Sequence, residues 1–114
     1  MIVYGIPTCT SVRRAIAWLN RSGIAFTFHD FKKSGITAAR LNTWSKEVGW
    51  EPLLNKKSTT WRELDAGQKA LAVNQKGAIQ VMQSNPGLIK RPVIEYKDGI
   101  IVGFNESQYE ENLR

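Results

Sequence analysis

Hydrophobic and polar positions follow two different periods along this chain, and the changes of period mark out its elements. Ile2-Val3-Tyr4 is a short apolar run that predicts a buried first strand. Val12, Ala15, Ile16 and Leu19 then recur at i, i+3, i+4 and i+7, the spacing of one face of an amphipathic helix. Thr10 or Ser11 is the expected N-cap, and Ser22-Gly23 the stop. From Phe26 to Phe31 aromatic and polar residues alternate, which predicts a second strand with one face buried. A βαβ opening follows, with a right-handed crossover as the default.

The middle of the chain reads as helical. Thr37 caps a helix with Leu41, Trp44 and Val48 on one face and Gly49 at its end. Ser58-Thr59-Thr60-Trp61 begins another helix, and a further one is expected to carry Ala70, Leu71 and Val73. A last one runs roughly from Gly77 to Gln83, with Ala78, Ile79 and Met82 inward, and stops at Asn85-Pro86. The Trp and Met residues of this region stand at helical spacing and are read as core. The period of two then returns. Pro92–Tyr96 and Ile100–Phe104 flank Lys97-Asp98-Gly99, and Asp-Gly between apolar runs predicts a hairpin. Asn105 or Ser107 is the expected cap of a terminal helix ending near Leu113. The order is βαβ, a helical insertion over about residues 37–85, then ββα. Without repeats, low-complexity tracts or a flexible linker, residues 1–114 are expected to form one domain.

Composition narrows the function classes. Hydrophobic residues make up 42% and charged residues 23%, as in ordinary globular chains. Lys and Arg outnumber Asp and Glu by 16 to 10, giving a net charge of +6 and a sequence pI of about 9.7. The cations fall in scattered pairs (Arg13-Arg14, Lys32-Lys33, Lys56-Lys57, Lys90-Arg91) with no basic block or RNA-binding signature, which argues against a nucleic-acid partner and for a surface with a few anion contacts. No apolar run reaches the ~18 residues of a membrane span, and no signal peptide is expected. One cysteine excludes an internal disulfide and fits a reducing, cytoplasmic setting. With one histidine as well, zinc has no ligand set, and no metal is expected. His29 lies in the alternating aromatic segment and reads as a strand or surface residue rather than a catalytic base. Neither a glycine-rich phosphate fingerprint nor a Ser-His-Asp grouping is legible.

The candidate chemistry centres on Cys9, at the point where the first strand gives way to the first helix. Unpaired N–H groups and the positive end of the helix dipole favour thiolate over thiol there, and the thiolate is the nucleophile. The alternative is a small buried hydrophobe. Pro92 opens the third predicted strand.

A strand-to-helix cysteine with a proline opening the third strand resembles a thioredoxin-like fold, βαβ–ββα with the helical insertion between the second and third strands. More closely, the chain resembles the arsenate reductase (ArsC)/Spx family, and within it the small YffB-type proteins. The matching segments are Tyr4-Gly5-Ile6-Pro7-Thr8-Cys9-Thr10-Ser11-Val12-Arg13, Asp30–Ile36, Leu53–Leu64, Ile89-Lys90-Arg91-Pro92-Val93 and Val102-Gly103-Phe104, in the family order. The resemblance implies a catalytic cysteine at Cys9, an anion-contacting arginine at Arg91, and a backbone edge beside Pro92 able to pair with a thiol-bearing peptide.

Departures from the family pattern refine the expectation. Where family arsenate reductases carry a histidine four residues before the cysteine, this chain has Gly5. Of their three oxyanion-holding arginines only Arg91 is matched; the other two positions read Asn55 and Phe104. Lys56 or Lys57 is a partial substitute at most, since an ammonium lacks the bidentate fork. Efficient arsenate reduction is therefore not expected. Spx-type regulators carry a second cysteine three residues on, where this chain has Val12, so an outside thiol must resolve any mixed disulfide. The expected function is a glutathione-dependent monothiol oxidoreductase with Cys9 as nucleophile and Thr10, Ser11, Arg13, Arg91 and Pro92 around glutathione. Glutathione is then a co-substrate rather than a tightly bound cofactor, and a monomer is the expected state. The alternative is an Spx-like regulatory module that binds a protein such as RNA polymerase.

Overall fold

A computed structural model describes all residues from Met1 to Arg114 and resolves two compact units. The first comprises residues 1–33 and 91–114. It contains strands β1 (Ile2–Gly5), β2 (Thr27–Asp30), β3 (Val93–Tyr96) and β4 (Gly99–Val102), in the sheet order β2-β1-β3-β4. β1 runs parallel to β2 and antiparallel to β3, and β3 and β4 form the hairpin expected around Asp98-Gly99. Helices α1 (Thr10–Arg21) and α7 (Glu106–Leu113) belong to the same unit, with Asn105 accepting from the Gln108 N–H as the α7 cap. The arrangement is the thioredoxin-like α/β fold.

The strand period decides what this sheet buries. Val3, Ile94 and Ile101 lie opposite one another in register and share one face. They pack with Ala15, Trp18 and Leu19 of α1 and Tyr109 of α7, which are 0–2% exposed. Trp18 and Tyr109 meet edge to face at 5.5 Å between centroids. The opposite face holds Tyr4, which lies beside His29 at 4.7 Å and donates its hydroxyl to Glu95 Oε1 at 2.8 Å.

The second unit, residues 34–90, is helical: α3 (Ala38–Val48), α4 (Thr59–Glu63), α5 (Ala66–Leu71) and α6 (Gln75–Ser84), followed by a 3-10 turn at Pro86–Leu88. Its caps are the short polar residues expected of helix starts, with Thr37, Ser58, Asp65 and Asn74 each accepting a backbone N–H. Between the second strand and this unit, a short helix α2 (Phe31–Ser34) replaces the end of the expected strand. Asp30 Oδ1 accepts the Lys32 N–H at 2.8 Å and turns the chain there. Val73 is not on a helix face. Because Asn74 caps α6, the chain must leave helical geometry at residues 72–73, and Val73 is 71% exposed.

Candidate active site

The site is built where β1 hands over to α1. After Gly5 the chain turns through Ile6-Pro7-Thr8, and the Cys9 N–H donates back to the Ile6 carbonyl at 3.0 Å. Cys9 itself is the N-cap of α1, with extended backbone angles, one or two residues earlier than the Thr10 or Ser11 expected from capping preference. The first intrahelical bond is Arg13 N–H to the Cys9 carbonyl at 3.0 Å, so the helix makes no use of the N–H groups of Thr10, Ser11 and Val12. Cys9 is half-buried.

As a thiol the side chain makes no capping hydrogen bond, but the surroundings suit the anion. Burial pushes the Cys9 pKa up and is the largest single influence; the Val12 N–H, the Arg91 side chain, the Ser11 N–H and the Arg91 charge act against it, and together they hold the pKa below the ordinary cysteine value. These surroundings favour the thiolate, the form in which a cysteine acts as a nucleophile.

The expected site residues fall around this sulfur with different roles. The Arg91 guanidinium donates to the Cys9 sulfur. Pro92 is buried, the Arg91-Pro92 peptide is cis, and the Pro92 carbonyl accepts the Gly103 N–H at 2.7 Å, tying the start of β3 to the end of β4. Ser11 contributes its backbone N–H; Thr10 is the exposed first residue of α1. Arg13 is exposed and turns back to the loop, its Nε donating to the Pro7 carbonyl at 3.3 Å. Val12 was not among the expected site residues, since its side chain is core. With Cys9 as N-cap, Val12 becomes the third helical residue, whose N–H an N-cap side chain ordinarily receives.

The positions that depart from the arsenate-reductase pattern do other work. Phe104 packs edge to face on Tyr109 at 5.3 Å. Asn55 Oδ1 accepts the Lys57 N–H at 3.1 Å in a turn of the helical unit, and Lys56 Nζ lies 5.4 Å over the Trp61 ring. His29 sits between Tyr4 and Phe31. No group of three or more His, Cys, Asp or Glu residues converges to hold a metal ion, and no helix is long and apolar enough to cross a membrane.

Comparison with known proteins places this geometry among relatives. The ArsC family model matches residues 4–112. An uncharacterized protein of Haemophilus influenzae is 39% identical over 108 residues, covering 95% of this chain and 94% of the relative. The global transcriptional regulator Spx of Streptococcus mutans is 33% identical over 104 residues, 90% of this chain and 74% of the regulator. A solved structure of a YffB protein superposes with a TM-score of 0.95 at 39% identity, covering 99% of this chain and 98% of the other.

Proposed function

The chain belongs to the ArsC family, and from that footing we propose that it is a glutathione-dependent monothiol reductase whose nucleophile is Cys9. The observation that carries the reading is the half-buried Cys9 sulfur, held toward thiolate by the Val12 and Ser11 N–H groups and by Arg91.

The Cys9 thiolate attacks the glutathione sulfur of a mixed disulfide R–S–S–glutathione. The R–S⁻ leaves and takes a proton from solvent, and Cys9 carries glutathione as a disulfide. The thiolate of a second glutathione attacks the glutathione sulfur of that bond, which releases Cys9 as thiolate and yields oxidised glutathione. One disulfide is reduced and one is formed, so electrons balance. Residue 12 is Val and the chain has one cysteine, so resolution comes from outside. The Val12 and Ser11 N–H groups receive the charge each time Cys9 leaves as thiolate, and Arg91 holds a carboxylate of glutathione beside the sulfur. A reducing cytoplasm is where such chemistry operates. Turnover of a glutathionylated peptide in excess glutathione tests the proposal: wild type should release peptide thiol catalytically and Cys9→Ser should not. Equal rates for the two would end it.

Similarity to Spx favours a second reading, a regulatory module that binds a protein and whose Cys9 senses oxidation. It predicts stoichiometric modification of Cys9 by oxidised glutathione with no multiple turnover, so the same assay separates the two.

A further inference from the structure

Three large apolar side chains stand exposed, and two of them, Leu71 at 43% and Val73 at 71%, lie together at the α5–α6 junction. Their setting is rigid. Ala72 is the C-cap of α5 and Asn74 the N-cap of α6, its Oδ1 accepting the Gly77 N–H at 2.9 Å. A Cβ on Gly77 would run into the Leu71 carbonyl, so α6 begins pressed against the end of α5. An apolar side chain contributes to folding by being buried, and Val73 is held out in solvent by a fixed turn. Its use lies outside the fold.

Leu71 and Val73 line a cleft of about 270 Å³ together with Lys76 and Gln80. Lys76 and Gln80 also line a second cleft, of about 430 Å³, between α3 and α6, so the two run together across α6. The second cleft has the buried Ile79 at its base and Asn42, Gln75 and Gln83 on its rim. Gln75 Nε2 donates to Asn42 Oδ1 at 3.2 Å. That bond leaves the Asn42 amide nitrogen as a donor and the Gln75 carbonyl oxygen as an acceptor, the pair that a peptide group matches. Charge on this face has one sign. Lys76 is the single charged residue of either cleft, and residues 66–94 contain no Asp or Glu. With a net charge of +6 on the whole chain, a second copy is repelled and an acidic partner is attracted. We propose that this face docks an acidic segment of a partner protein. Its apolar side chains lie on Leu71, Val73 and Ile79, its main chain against the carboxamides, and a carboxylate on Lys76.

The surface makes no use of Cys9, so it stands or falls apart from the reductase reading. The test is selection of short random peptides displayed on phage against the full chain, followed by titration and amide NMR with the enriched peptides made synthetically. Enriched sequences should combine Asp or Glu with apolar residues, and their binding should shift amides of Asn42 and of Leu71–Gln83. The Leu71→Gln, Val73→Ser double variant should lose at least about tenfold in affinity, because the apolar anchors go. Lys76→Glu should lose as much, since attraction turns to repulsion, and affinity should fall as salt rises. Lys97→Glu, on the exposed β3–β4 turn, should bind as wild type and controls for general charge. Enrichment of basic peptides would overturn the partner class. Self-association of the chain through the same residues, read by sedimentation, would make the face a dimer interface and overturn it equally. No saturable peptide binding, shifts confined to other residues, or equal losses in Lys76→Glu and Lys97→Glu would overturn the surface.

Discussion

Gly5 faces Val12 so closely that a Cβ added at residue 5 would lie 2.6 Å from Val12 Cγ2. Val12 is fully buried, and its N–H is the leading donor that favours the Cys9 thiolate. The missing side chain at the end of β1 therefore sets how closely the first turn of α1 approaches the sheet. The family histidine four residues before the cysteine has no room here unless that turn moves. Glycine at this position is a packing requirement of the turn that carries Cys9, not simply the loss of a catalytic group.

Gly5→Ala should accordingly push Val12 outward and loosen the cap. Overpacking of this kind costs about 1–3 kcal/mol. The Cys9 pKa should rise toward that of a free thiol as the Val12 N–H withdraws. Chemical denaturation and the pH dependence of alkylation read the two effects. An Ala variant with unchanged stability and unchanged thiol titration would contradict this account.

The pH dependence of wild type follows from the depressed Cys9 pKa. Alkylation should reach half its maximal rate below the ~8.5 of a free cysteine. A depressed pKa also makes Cys9 stabilise the fold above its unfolded value, and that contribution is lost as pH falls through the lower folded value. Arg91→Ala should move the alkylation midpoint upward, since it removes both a donor and a positive charge. Arg91→Lys should restore part of the shift, which a purely structural role for Arg91 would not produce.

Most of this fold was legible in the sequence because its elements announce themselves locally. The Asp98-Gly99 hairpin and the Thr37 cap stand as expected, and of the α1 stripe of Val12, Ala15, Ile16 and Leu19 all but the half-buried Ile16 are buried, with Trp18 joining them. Where the reading slipped, a local polar group had won. Asp30 turned the second strand into α2, and Asn74 ended the helix before Val73. The pairing of Cys9 with Arg91 was expected from the sequence, but the part of Val12 was not. Its side chain speaks for the core, and only the exact start of α1 reveals that its N–H serves the sulfur. The Arg13 bond to Pro7 O depends on a loop conformation that no spacing encodes.

Tyr109 tests the core beneath the site. Its side chain is buried between Trp18 and Phe104, its hydroxyl donates to the Gly103 carbonyl at 2.8 Å, and burial pushes its pKa well above the usual tyrosine range. Tyr109→Phe leaves that carbonyl without its donor and should cost about 1–3 kcal/mol. Gly103 is bonded through its N–H to Pro92, so the amide exchange of Gly103 should quicken as well. Full stability in the Phe variant would mean the carbonyl finds another donor.

Arsenate turnover should be weak or absent. Gly5, Asn55 and Phe104 occupy the positions of a histidine and two arginines in the arsenate reductases this chain resembles, and Phe104 is committed to Tyr109. Removing one preorganised donor from a developing anion costs about 10²–10³ in rate, so two missing guanidiniums leave little. A coupled assay with glutathione and glutaredoxin reads this directly. Rates matching those of family reductases would show that other cations serve in their place.

Arg91 should matter to glutathione as well as to the thiol. Its guanidinium already reaches the Cys9 sulfur, so a tripeptide bearing two carboxylates and bonded to that sulfur lies within its range. A hydrogen bond to a charged group contributes about 1.5–3 kcal/mol, so Arg91→Ala should weaken glutathione binding roughly ten- to a hundredfold. Arg13 is occupied with the Pro7 carbonyl, and its replacement by alanine should act through the loop, lowering the glutathionylation rate more than the affinity. Arg14, exposed on the same helix, is the control and should be nearly neutral. Calorimetry and glutathionylation rates on the three alanine variants distinguish these roles. Equal losses at Arg14 and Arg91 would point to general attraction by a chain of net charge +6, and no loss at Arg91 would remove the chief support for glutathione as the partner.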